Sequence, residues 1–175
     1  MDPDRLLVRM AKNGNVAAFR KLALRYRDPV LALAYDFLKN YGSAKDVAQN
    51  VILKAFKNIG DFEEKFLFSS WLFRITVNAS LDTQKPKIRR RKFVLGKKNI
   101  QNELQASNQM VGLDESLSVA IQSLTDKQQS AIILRYFHNK SVREMADILD
   151  CTESTVRSYL HQALKKLDRS YRKGK

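Results

Sequence analysis

Five polar side chains, Arg157, Ser158, His161, Gln162 and Lys165, recur within the stretch ESTVRSYLHQALKKL at the spacing that lines one face of a helix. Val156, Leu160, Ala163, Leu164 and Leu167 fill the other face, so one side packs and the other is presented. The chemistry open to the presented side is hydrogen bonding to nucleobase edges and phosphates. Arg matches guanine, Gln matches adenine, and Ser or His serves either an edge or a phosphate. On composition alone, a solvated amphipathic helix accounts for the same face equally well. No second reactive set competes with it: the chain has no Gly-rich phosphate loop, no zinc-ligand spacing and no nucleophile, base and acid constellation. Its single cysteine, Cys151, and its two distant histidines give neither a disulfide nor a metal cluster, so no cofactor, no metal and no enzymatic activity are expected.

The presented face needs elements to hold it. Just upstream, Val142, Met145, Ala146 and Leu149 form the apolar face of a short helix, Asp150-Cys151-Thr152 makes a tight connection, and Thr152 is suited to cap the next helix. That is a helix-turn-helix, in which the second helix enters the DNA major groove. A further helix from Thr125 to Phe137 offers Ile132, Ile133, Tyr136 and Phe137 as packing surface for the pair. The turn and the preceding helix tip the balance from a wet surface to DNA reading.

The rest of the 175 residues fits such a partner. Lys plus Arg outnumber Asp plus Glu by 32 to 18, a formal charge of +14 that favours a polyanion. Apolar runs are far too short to cross a bilayer and the start, MDPDRLLVRM, lacks a signal-peptide core, so a cytoplasmic protein without membrane insertion is expected. Six Gly, three Pro and scarce alternation predict an all-α fold. Helix starts are expected at Asp28-Pro29 and at capping boxes Ser43 to Asp46, Thr125 to Gln128 and Ser141 to Glu144.

The stretch from Pro86 to Leu113 is basic at first and then rich in Asn, Gln and Ser without an apolar stripe, which predicts a flexible linker. Two small helical domains follow, 1–85 and 114–175, the second carrying the helix-turn-helix. Residues 1–85 hold 14 basic against 9 acidic side chains, 86–113 hold 7 against 1, and 114–175 hold 11 against 8. The linker is the most basic part per residue. Pro86 is expected to kink or end the helix that precedes it.

The segment LTDKQQSAIILRYFHNKSVREMADILDCTESTVRSYLHQALKKL resembles the C-terminal domain of extracytoplasmic-function (group four) sigma factors of bacterial RNA polymerase, which reads the minus-thirty-five promoter element. AKDVAQNVILKAFKNIGDF and FSSWLFRITVNASLD resemble that family's core-binding and minus-ten segments, in the expected order. The resemblance implies a transcription initiation factor that binds core RNA polymerase, recognises promoter DNA and assists melting. An anti-sigma factor is an implied further partner. A free-standing helix-turn-helix regulator is the competing reading, and the motif from Trp71 to Asp82 argues against it.

Residue by residue, the resemblance puts Arg157, Ser158, His161, Gln162 and Lys165 on the minus-thirty-five element and Asp46, Gln49 and Asn50 on polymerase. Asn50 stands where the family carries a carboxylate, and Asp46 also serves as the expected capping partner of Ser43. Phe68, Ser70, Trp71, Arg74 and Asn78 are placed at the minus-ten element, with Arg89, Arg90 and Arg91 neutralising phosphates. Two alternatives stay open: Phe68 and Trp71 either meet an unstacked base or support its loop from the core, and Arg74, Asn78 and Asp82 also fit an intrahelical network. Asp150 replaces the family's turn Gly and tolerates the left-handed backbone required there. Cys151, at a usually aliphatic position, is expected to act as a small buried hydrophobe rather than a redox switch.

Overall fold

The computed structural model describes residues 4–95, 120–121 and 123–173, with backbone alone at 86–95 and 170–173. All regular structure within them is helical, in two compact units, Met1–Lys87 and Ile88–Lys175. Of the expected linker, 86–113, residues 86–95 are helical and residues 96–113 lie outside the described residues.

In the first unit, α1 (Arg5–Lys12) is anchored at its start by Asp4, a buried carboxylate that accepts hydrogen bonds from Arg25 and Tyr26. The next helix, α2 (Val16–Leu38), begins at Asn15, whose side chain accepts the Ala18 N–H at 2.9 Å. It runs unbroken through Asp28-Pro29, so no helix starts there. The reason is packing: Ala18, Phe19 and Leu22 before Pro29 and Val30, Leu33, Ala34 and Phe37 after it are all buried, and that burial offsets the ~3 kcal/mol an internal proline costs. Lys39 stops the helix in the left-handed conformation, φ 49°.

Asn40 follows at once and caps α3 (Tyr41–Lys57) by accepting the Ser43 N–H at 2.9 Å. The expected box at Ser43 and Asp46 is therefore displaced: Ser43 supplies a donor to the true cap, and Asp46 stands exposed in the second turn. Ala44, Val47, Ala48, Val51 and Ala55 make the buried stripe of α3.

A short 3₁₀ turn (Ile59–Asp61) and a loop lead into α4 (Phe68–Leu95), with Phe68, Leu72, Phe73 and Val77 buried. The buried hydroxyl of Thr76 on α4 bonds along the helix, donating to the Leu72 carbonyl at 2.9 Å. Gln84 donates to the Phe37 carbonyl and ties α4 to the end of α2. The helix does not end at Pro86 but continues to Leu95.

In the second unit, Thr125 and Gln128 form the expected reciprocal capping box at the start of α5 (Asp126–Ile132), which continues as a π-helical segment, Ile133–Phe137. Ser141 and Glu144 form the second box and open α6 (Val142–Leu149). Asp150, φ 55°, turns the chain as expected. Thr152 Oγ1 then accepts the Thr155 N–H at 3.2 Å and caps α7 (Glu153–Lys173). Ile121, Leu124, Ile132 and Ala163 form a buried cluster against which Phe137, Leu160 and Leu167 pack. Ile133, Met145, Ile148, Leu149 and Val156 are buried as well. Two residues expected in the core depart from it: Tyr136 and Leu164 are 56% and 44% exposed.

Candidate nucleic-acid interface

The helix-turn-helix formed by α6 and α7 leaves Ser154, Arg157, Ser158, His161 and Lys165 exposed. Their numbers advance along the helix so that they form one polar strip from the first turn of α7 into the fourth. Ser154 joins the strip without having been expected there; its position one turn before Ser158 is the signal in the sequence that points to it. Arg157 Nη2 donates to Glu153 Oε2 at 2.8 Å while the arginine stays 62% exposed.

Gln162 is different. Its Oε1 accepts from Gln128 Nε2 of α5 at 3.0 Å, and Lys166 Nζ donates to Gln128 Oε1 at 2.9 Å. Bidentate recognition of adenine needs both the oxygen and the nitrogen of an amide. Its oxygen is engaged in this structure, where the exposed Gln162 side chain acts as a pin between α5 and α7. A second pin fixes α6: Lys127 Nζ donates to the Leu149 carbonyl at 3.2 Å, capping the C-terminal end of that helix. Cys151 is half-buried in the turn. Burial pushes its thiol above the ordinary range, Lys127 draws it partly back and Asp150 adds to the rise.

In the first unit, the loop between the 3₁₀ turn and α4 is held from beneath and from the side. Phe68, 1% exposed, meets Phe62 edge-on with ring centroids 5.8 Å apart and Tyr26 at 5.5 Å. Ser70 is buried too, and in this structure both side chains support the loop from the core. Trp71 is half-buried against Phe62 and Phe68. From α1, Lys12 Nζ donates to the Phe62 carbonyl at 2.7 Å and Arg9 bonds Glu64 at 2.9 Å.

Phe66 is half-buried like Trp71, with Lys65 and Arg74 cations 5.0 Å and 5.7 Å from its ring centroid. Arg74 is half-buried there and Asn78 is exposed one turn on. The ion pair found further along α4 joins Asp82 to Lys85 at 2.7 Å. At Arg89, Arg90 and Arg91 the backbone is helical, and their side chains lie outside the described residues.

A separate surface lies on α3, where Asp46, Gln49 and Asn50 are exposed at helical spacing and Leu53, 57% exposed, continues their line. Among the described residues, no cluster of His, Cys, Asp and Glu is placed to hold a metal, and no helix is long and apolar enough to cross a membrane.

Comparison with known proteins places both units. Residues 22–93 match the family described as Sigma-70 region 2, and residues 114–167 match Sigma-70, region 4. The extracytoplasmic-function sigma-E factor of Escherichia coli K12 is 30% identical over 180 residues, covering 94% of this chain and 92% of its own. The corresponding SigW factor of Bacillus subtilis is 28% identical over 181 residues, 94% of this chain and 95% of that one. Among solved structures, CnrH in complex with the cytosolic domain of CnrY shares the fold with a TM-score of 0.68 at 22% identity, over 95% of each chain. RpoE of Bartonella quintana, solved with the anti-sigma factor NepR, gives 0.65 at 24% identity, over 90% of this chain and 98% of that one.

Proposed function

The chain belongs to the extracytoplasmic-function sigma factors, which bind core RNA polymerase and recognise promoter DNA, and from that premise we propose how its surfaces divide the work. It is a transcription initiation factor, not an enzyme. The second unit, with α7 in the major groove, reads the minus-thirty-five element through Arg157, Ser158 and His161, joined by Ser154, with Lys165 set for phosphate. The observation that carries this reading is the exposed strip itself, on a helix whose start is capped by Thr152 and whose flank is pinned by Gln162.

The first unit takes the minus-ten element and assists opening of the duplex. Phe66 offers a ring on which an unstacked base can lie, with Trp71, Arg74 and Asn78 beside it along α4. Arg89, Arg90 and Arg91 neutralise phosphates beyond it. Asp46, Gln49 and Asn50 dock on core polymerase, extended by the apolar side chain of Leu53. The protein works in the cytoplasm, and an anti-sigma factor is a partner of the same class as the one bound in the Bartonella complex.

The test is transcription from genomic DNA by purified core polymerase with and without this protein, followed by sequencing of transcript starts. New starts that share two upstream elements at constant spacing support the reading. A start profile identical to that of core alone overturns it.

A further inference from the structure

Glu153 is the first residue of α7, and its side chain stands beside the residues assigned to DNA: the carboxylate is 45% exposed where it meets Arg157. A negative charge facing a polyanion opposes binding, so its presence on this face calls for a cause. Two ordinary ones exist. An acidic residue in the first turn complements the helix dipole, and a Glu four residues before an Arg supports an isolated helix. The first does not require the Glu to touch Arg157, whereas the second is this same contact, which here falls at the centre of the reading strip.

The geometry points to a positioning role: we propose that Glu153 fixes the guanidinium of Arg157 and thereby sets its preference for a guanine edge over phosphate. This rests on the reading of α7 as the minus-thirty-five helix. An arginine on a flexible stem bonds whatever acceptor is nearest, and on duplex DNA that is a phosphate, common to every sequence. With Nη2 held by Glu153 Oε2 at 2.8 Å, the guanidinium is restrained and its other N–H groups remain available as a fork. The charge of Glu153 weakens attraction to all DNA alike, while the fork it steadies favours one base. Specificity is gained at the expense of general affinity.

The test uses the full chain assembled with core polymerase and a duplex library in which the upstream promoter element is randomised, bound DNA being sequenced to give the preference for each base. Arg157→Ala is expected to erase the preference at one position, by about 5- to 150-fold, the span of a bidentate base contact. Glu153→Ala should lower that same preference by about 2- to 10-fold, the worth of one oriented hydrogen bond, while binding to the library as a whole tightens. Glu153→Gln keeps an acceptor at the same reach without the charge. It should tighten overall binding and retain most of the preference, a split that a helix-dipole role does not produce because both variants lose the same charge. Combined with Arg157→Ala, Glu153→Ala should change no base preference further. If Arg157→Ala leaves preference untouched, the reading of α7 fails and this role with it. If Arg157→Ala erases preference and Glu153→Ala does not alter it, in a protein of unchanged helicity by circular dichroism, the reading of α7 stands and the positioning role is overturned.

Discussion

Gln128 of α5 donates through Nε2 to Oε1 of Gln162 of α7 at 3.0 Å, joining two amides 34 residues apart. Gln128 is buried and is also the third residue of the Thr125 capping box. One side chain therefore closes the start of α5 and grips the flank of α7. The angle at which α7 leaves the core depends on a polar contact as well as on Leu160 and Leu167.

Gln162→Ala removes that grip. The second unit should lose about 0.5–1.5 kcal/mol, the net worth of one hydrogen bond, while the base preference of the holoenzyme stays as it is. Urea unfolding followed by circular dichroism, with the randomised-library measurement, reads both quantities. A change of base preference with stability intact returns Gln162 to the reading strip.

Asp46→Lys reverses a charge on the exposed face of α3 that is assigned to polymerase. Because Asn40 and not Ser43 caps this helix, Asp46 bears no capping duty and the unit should keep its stability within about 0.5 kcal/mol. Affinity for core polymerase should fall, and Leu53→Ala should weaken it independently by taking away apolar surface. Titration of labelled protein into core polymerase measures each. Unchanged affinity in both variants moves the docking surface elsewhere.

What the sequence disclosed and what it hid follow from range. The boxes at Thr125 and Ser141 join residues three apart, so local pattern finds them. Asp28-Pro29 has the same local form, yet a buried stripe on both sides of the proline carries α2 straight through it. Ser43 has the box pattern too, but Lys39 stops the chain in a left-handed turn and Asn40 reaches the free N–H groups first. Ser70 reads as surface because a hydroxyl suits a base, while Phe68 fits either a base or the core. Their burial is decided by Phe62, Tyr26 and the rest of the unit. The pin at Gln162 and the hold of Lys12 on Phe62 depend on partners that no window of adjacent residues contains.

Replacing Arg89, Arg90 and Arg91 together by Gln should flatten the salt dependence of DNA binding by up to ~0.9 in log–log slope for each phosphate of duplex DNA that is no longer neutralised. Gln retains helix propensity, so the end of α4 is disturbed little. Fluorescence anisotropy across a series of salt concentrations gives the slope. An unaltered slope makes the run a solvated one.

The Cys151 thiol, held above its ordinary range by burial, should be almost wholly protonated at neutral pH and react slowly with iodoacetamide. Reaction should quicken when the second unit is unfolded in urea. Labelling followed by mass spectrometry compares the two states, and fast labelling of the folded protein would mark Cys151 as a reactive site.

Glu144 gives the helix-turn-helix a dependence on pH whose sign can be derived. Burial alone pushes its carboxyl up, but hydrogen bonds from the Ser141 N–H at 2.9 Å, the Ser141 hydroxyl at 2.8 Å and Lys140 at 3.1 Å outweigh that and hold it below the ordinary range. The folded chain thus protonates Glu144 at a lower pH than the unfolded chain does. The stabilisation is complete above the ordinary Glu range and is lost as pH falls through that range and through the lower folded value. Glu144→Gln keeps an amide able to close the same box but has no charge to lose. At neutral pH the variant should be less stable by about 0.3–1 kcal/mol, the scale of a half-exposed charge at the first turn of a helix. That deficit should shrink as the solution is acidified through the carboxylate range. Urea midpoints of both proteins from neutral to acid pH measure the difference. A deficit that stays constant with pH would mean that hydrogen-bond geometry, and not the charge of Glu144, holds the start of α6.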